Sequence, residues 1–166
     1  MTNRSLIQMY QPRGEIWPTI LVERVLPIAI QRLNTIQAGA LLTDAAKLLC
    51  DTHKALLVVC NPDGVMVGII SKTDIVRQIA HCEGSRCTTP AEAVMTRDVT
   101  YCHSSDPLHD VLSKMKERGF VHVPIVDQES KPIGVINARD ALQVLLGDVE
   151  YDVSFLRDYV MGFGYH

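Results

Sequence analysis

The chain lacks any long uncharged apolar run. A membrane-spanning helix needs about 18–20 such residues. The best candidate, Ile20 to Ile30, is interrupted by Glu23, Arg24 and Pro27. An excess of positive charge is also missing: 16 Lys and Arg stand against 19 Asp and Glu, a net charge of −3. No overall basic footprint for nucleic acid or an anionic membrane is therefore expected. Met1 to Ser5 lead into no hydrophobic signal core. Together these absences predict a soluble, cytoplasmic protein with neither nucleic acid nor membrane as partner.

Cysteines that pair off evenly are missing, the count being odd: Cys50, Cys60, Cys82, Cys87 and Cys102. Reduced thiols are expected rather than a disulfide framework, with Cys50 and Cys60 packing as small hydrophobes. Around His81, Cys82, Cys87, Cys102 and His103 no second matched cysteine pair completes a zinc pattern, so no metal is expected. Cys102 and His103 are neighbours that point apart on a strand, a poor thiol–imidazole pair. No glycine loop ending in Lys-Ser/Thr is present for nucleotide hydrolysis, and Gly162-Phe163-Gly164 has no strand before it. A length of 166 residues, 47% of them hydrophobic, suits one domain or two half-size units sharing a core.

What the chain does have is a duplication. Leu42, Ala45, Ala46 and Leu49 form the i, i+3, i+4, i+7 stripe of an amphipathic helix. Sixty-six residues later Leu108, Val111, Leu112 and Met115 form the same stripe, with Asp106 predicted as its N-cap and Pro107 at its first position. Apolar β-rich runs follow both helices, Ala55–Val59 and Val121–Val126. Turn residues come next, Asn61-Pro62-Asp63-Gly64 and Asp127-Gln128-Glu129-Ser130, in hairpins expected to differ by one residue. Second strands (65–70 and 132–136) and second helices (74–80 and 140–146) complete the units. Gly68 matches Gly134, Ile70 matches Ile136 and Asp74 matches Asp140.

Each unit reads strand–helix–strand–strand–helix, too small to bury a comfortable core alone. The prediction is an α+β protein of two βαββα repeats packed sheet to sheet with pseudo-twofold symmetry. Its parts are an N-terminal extension (1–27), repeat one (28–82), a linker (83–93), repeat two (94–147), and a C-terminal stretch (148–166) with a helix over 151–160.

Val67-Gly68-Ile69-Ile70-Ser71-Lys72-Thr73-Asp74 and Ile133-Gly134-Val135-Ile136-Asn137-Ala138-Arg139-Asp140 resemble the strand-to-helix signature of cystathionine-β-synthase (CBS) domains. Val94-Met95-Thr96 and Val123-Pro124-Ile125 resemble that family's opening segment and middle strand. The resemblance covers about residues 28–146. It implies a tandem pair with two clefts between the halves, binding an adenine nucleotide or adenosyl compound (AMP, ATP, NAD or S-adenosylmethionine). It also implies a homodimer that regulates an effector protein, performs no reaction of its own and requires no cofactor beyond this regulatory ligand.

Carried over by position, the first cleft would use Ser71 and Asp74, Ile70 against base or ribose, and Thr96, Val99, Thr100, Val121, His122 and Pro124 from repeat two. His122 would meet phosphate, or simply be solvated. The second cleft would use Asn137 and Asp140, with Asn34, Lys54 and Ala55 from repeat one. Its opening segment is Ile28-Ala29-Ile30, and Leu57 stands where the family's middle-strand proline would be. Lys72, Arg77 and Arg139 are candidate phosphate partners.

Two readings of Ser71 and Asp74 stand side by side. Ser71 caps a helix whose first turn Asp74 completes, with no ligand involved. Alternatively Asp74 accepts both hydrogen bonds of a ribose diol while free first-turn N–H groups receive a phosphate. The corresponding function classes are a nucleotide sensor and a ligand-free dimer scaffold, with an enzyme acting on a nucleotide as a third.

Overall fold

The computed structural model describes residues 19–82 and 88–147. The helix expected at 151–160, the C-terminal tail, residues 1–18 and Cys87 lie outside them. A short 3-10 turn (Val22–Arg24) and α1 (Leu26–Arg32) lead into the first repeat. That repeat continues with β1 (Thr35–Gln37), α2 (Leu42–Thr52), β2 (Leu56–Cys60), β3 (Met66–Ser71) and α3 (Lys72–Ile79). The second opens on α4 (Ala91–Val94) and continues with α5 (Leu108–Arg118), β4 (His122–Val126), β5 (Pro132–Asn137) and α6 (Ala138–Gly147). No helix among the described residues is long and apolar enough to cross a membrane.

The hairpin pairing of the two copies matches residue for residue. β1 runs parallel to β2 (Ile36 opposite Val59), and Cys102 bridges Ile125 in the same sense. β2 is antiparallel to β3 with Leu57 opposite Ile70, and β4 to β5 with Val123 opposite Ile136. The hairpin turns are of equal length, correcting the expected one-residue difference. Asn61 Oδ1 accepts from the N–H groups of Asp63 and Val65, and Asp127 Oδ1 from those of Glu129 and Lys131. The left-handed position of the turn is Gly64 in one copy and Ser130 in the other.

The copies differ where β1 would recur. Val58 N–H donates to Asn34 O at 2.9 Å. The residue 66 later is Pro124, which has no N–H to give. Losing that bond leaves the first strand of repeat two as a single bridge at Cys102. This register also makes Val58, not Leu57, the counterpart of Pro124.

The segments leading into the repeats cross over. Val22, Val25 and Ala29 belong to the core of repeat two, with Leu108, Met115, Ile125 and Ile136. Ala91 and Met95 belong to that of repeat one, with Leu49, Leu57 and Ile70. Two glycines admit the crossing chains: a Cβ on Gly68 would lie 2.8 Å from Thr96 O, and one on Gly134 3.1 Å from Ala29 C. The crossing backbone also closes helix starts. Leu108 N–H donates to Ile20 O, and Leu42 N–H to Thr89 O. Contrary to the sequence expectation, Asp106 does not cap α5; its carboxylate accepts from His103 N–H at 2.9 Å instead.

β2 is buried on both faces, which is why it reads as an unbroken apolar run. Leu57 and Val59 face the repeat-one core, whereas Leu56, Val58 and Cys60 meet Val135 of β5 between the sheets. The expected sheet-to-sheet packing is thus present, and neither repeat closes its core without the other.

Candidate functional site

Both acidic residues of the signature start a helix, and each start is built differently. At α3, Ser71 is the N-cap. Its Oγ accepts from Asp74 N–H at 3.3 Å, and Asp74 Oδ2 accepts from both Ser71 N–H and Oγ at 2.8 Å. This reciprocal box fully accounts for the two residues as caps. The Asp74 side chain keeps 16% exposure, with Arg77 Nη1 3.7 Å away on the same helix. A cavity of about 170 Å³ runs past Asp74 between α3 and α4, lined also by Gln78, His81 and Val94.

At α6, Asn137 Oδ1 accepts from Arg139 N–H at 2.9 Å, so the amide caps as a hydroxyl would. Its Nδ2 lies 3.0 Å from His122 Nε2. An amide nitrogen can only donate, so this contact needs a neutral imidazole with Nε2 bare. Burial, helped by the Arg32 guanidinium and opposed by Asp140, pushes the His122 pKa below its ordinary value. Asp140 is buried, and its Oδ2 accepts from Arg32 Nε at the end of α1. That hydrogen bond also raises the Arg32 pKa. Lys54 Nζ donates to Gln31 O, tying the end of α2 to the same helix. Asn34 Nδ2 is buried with no partner, an orphaned donor two residues from Arg32.

Several expectations change. His122 stands with Asn137, Arg32 and Asp140, the second group and not the first, because it pairs with Asn137 across the β4–β5 ladder. Ile70 lies fully buried in the core of repeat one and presents no surface to a ligand. Strand alternation puts Ile69, not Ile70, on the face of Ser71. Pro124 is buried in mid-β4, and Val121 is exposed with its carbonyl accepting from Ala138 N–H. Thr96 bridges Ile69, Val99 is half-buried, and Thr100 Oγ1 accepts from Arg118 Nη1 at 3.1 Å. Ala55, Lys72 and Arg139 are exposed. Arg32 was not anticipated, because its counterpart 66 residues on is Asp98 and no motif singles it out.

The remaining thiol chemistry is quiet. Burial pushes the Cys102 pKa up to about 12, which argues against a thiolate nucleophile, and its neighbour His103 packs edge-on against Tyr101. Among the described residues no three His, Cys, Asp or Glu side chains gather as metal ligands.

Comparison with known proteins decides the family. The CBS domain family model matches twice, over residues 24–81 and 91–147. The chain belongs to the CBS domain family. The CBS domain pair of protein MJ0100, solved with 5′-methylthioadenosine and S-adenosylmethionine, superposes with a TM-score of 0.65 at 26% identity, covering 80% of this chain and 100% of that one. A putative signal-transduction protein with CBS domains from Burkholderia ambifaria gives a TM-score of 0.66 at 25% identity, covering 81% and 99%. An uncharacterized 17.7 kDa protein of Acidianus ambivalens is 29% identical over 76% of this chain and 75% of its own. A homoserine O-acetyltransferase of Methanococcoides burtonii is 29% identical over 70% of this chain, which spans only 23% of that enzyme.

Proposed function

We propose that this CBS pair is a non-catalytic regulatory module that binds an adenine nucleotide or adenosyl compound between its repeats. The observation that supports this most is the Arg32–Asp140 contact. Asp140 starts α6 of repeat two, and Arg32 ends α1, the segment that runs into repeat one while packing on repeat two, so a sugar gripped by Asp140 also meets the crossing segment. A ligand that contacts both halves shifts their relative arrangement by its differential affinity. The adenosyl ligands of the MJ0100 pair indicate the class of compound. The acetyltransferase relative matches over a minor part of its length, and we carry no acyl-transfer activity to this chain.

Calorimetric titration with AMP, ATP, NAD, S-adenosylmethionine and 5′-methylthioadenosine tests the reading. Saturable heat is expected from at least one of them, and silence from all five with a folded sample rejects it.

The complete capping box at Ser71 and Asp74 favours a second reading, a scaffold that needs no ligand. Asp74→Ala separates the two. A sensor loses ligand-induced thermal stabilisation at this cleft while staying folded, whereas a scaffold shows a modest melting drop and no ligand effect before or after.

We also assign self-association to the outer faces of α3 and α6. Val76 and Ile79 are 66% and 63% exposed, and Leu142, the counterpart of Val76, is 48% exposed. Such an apolar surface favours a second copy of the chain. The double variant Val76→Lys/Ile79→Lys is expected to sediment as a monomer where the unmodified chain sediments as a dimer.

A further inference from the structure

Resting on the nucleotide reading, we propose that Arg32 latches the second cleft, occupying Asp140 until a ligand phosphate draws it away. The cleft thereby selects 5′-phosphorylated adenosine compounds over uncharged nucleosides.

Asp140 is the buried charged side chain among the described residues, 7% exposed. To grip a vicinal ribose diol it must offer both carboxylate oxygens, and Arg32 already takes Oδ2. A buried carboxylate stripped of its cation is costly unless new donors replace it. A ribose supplies those donors, but the guanidinium then needs an anion of its own. A phosphate satisfies it, often in two-pronged fashion, while an uncharged nucleoside leaves it with water.

The position suits this exchange. Arg32 is the last residue of α1 and its side chain is 38% exposed, so the guanidinium can swing on its stem without unwinding the helix. Lys54 Nζ at Gln31 O places a second cation on the end of the same helix, and His122 at Asn137 stands neutral beside the group. The counterparts of Arg32, Lys54 and His122 around the first cleft are Asp98, Phe120 and Leu56. Arg118 on that side donates to Thr100, and the cation near Asp74 is Arg77 of its own helix, 71% exposed. The crossing latch therefore belongs to the second cleft alone among the described ion pairs.

The test compares AMP with adenosine by calorimetry in an Asp74→Asn background, which silences the first cleft. Arg32→Gln is expected to bind adenosine about 5-fold tighter, because nothing competes for Asp140. The same variant should bind AMP about 10-fold more weakly, because the phosphate loses its charged partner. Opposite movement of the two affinities supports the latch; parallel loss, or no change in either, overturns it. If circular dichroism shows Arg32→Gln unfolded, selectivity of the Asp74→Asn protein itself decides: a preference for AMP of about 10-fold or more supports the latch, and a smaller one refutes it. Failure of the underlying reading looks different, since then no adenosyl compound binds the unmodified chain at all.

Discussion

Asp74 and Asp140 occupy the same place in the two repeats, yet one is held by its own helix and the other by α1, distant in the chain and packed on repeat two. Asp74 closes a capping box with Ser71 three residues away. Asp140 pairs with a residue 108 positions distant in the chain. A duplicated signature therefore yields one locally satisfied carboxylate and one whose partner arrives with the crossing segment α1. The repeated backbone places both carboxylates alike, while the difference between Arg32 and Asp98 changes what meets them.

The comparison can be broken hardest at the glycines under the crossing segments. Gly68→Ala drives a methyl against the Thr96 carbonyl at 2.8 Å and against Met95, whereas Gly134→Ala meets Ala29 at 3.1 Å. Urea unfolding is expected to show a loss of about 3 kcal/mol for the first and about 1 kcal/mol for the second. Equal losses would mean the two crossings are equally tight.

The carboxylates come next. Asp140→Ala is expected to cost about 2 kcal/mol, less than a fully buried pair because Arg32 can re-solvate, and Asp74→Ala about 1 kcal/mol for the lost cap. The same unfolding measurement reads both, and the reverse order would contradict the structural contrast.

His122 sharpens the contrast in pH. Its pKa is lowered in the folded protein, so its stabilising contribution is complete above the unfolded histidine value of about 6.5. As pH falls through that value the unfolded chain takes the proton first, and stability declines towards the folded pKa. His122→Leu copies Leu56 of repeat one and is expected to flatten the decline between pH 7 and 5, read from melting temperatures across that range.

The smallest effects lie at the left-handed positions that the repeats fill differently. His53 (φ 54°) corresponds to Gly119, and Ser130 (φ 61°) to Gly64. His53→Gly and Ser130→Gly are each expected to stabilise by about 0.5 kcal/mol, the relieved backbone strain outweighing glycine's added chain entropy.

Much of this was legible in the chain itself. Periodicity placed α2 and α5, the Asn61 and Asp127 turns marked the hairpins, and the constant offset related the halves. Ser71 three residues before Asp74 announced the cap. The errors arose where a residue's partner is distant. Asp106 looked like an N-cap because the Ile20 carbonyl that serves α5 is far away in sequence. Chain order suggests His122 for the first cleft, but cross-strand pairing puts it beside Asn137. The signature suggests Ile70 as a lining residue, but strand alternation turns it into the core.

The sequence by itself determined the repeat, its elements and the two acidic helix starts, because hydrophobic period, turn chemistry and capping act over a few residues. Only the tertiary structure decided which segment completes which core and which cation meets which carboxylate. Those contacts form where chains cross, and nothing in the local spacing of residues encodes a crossing.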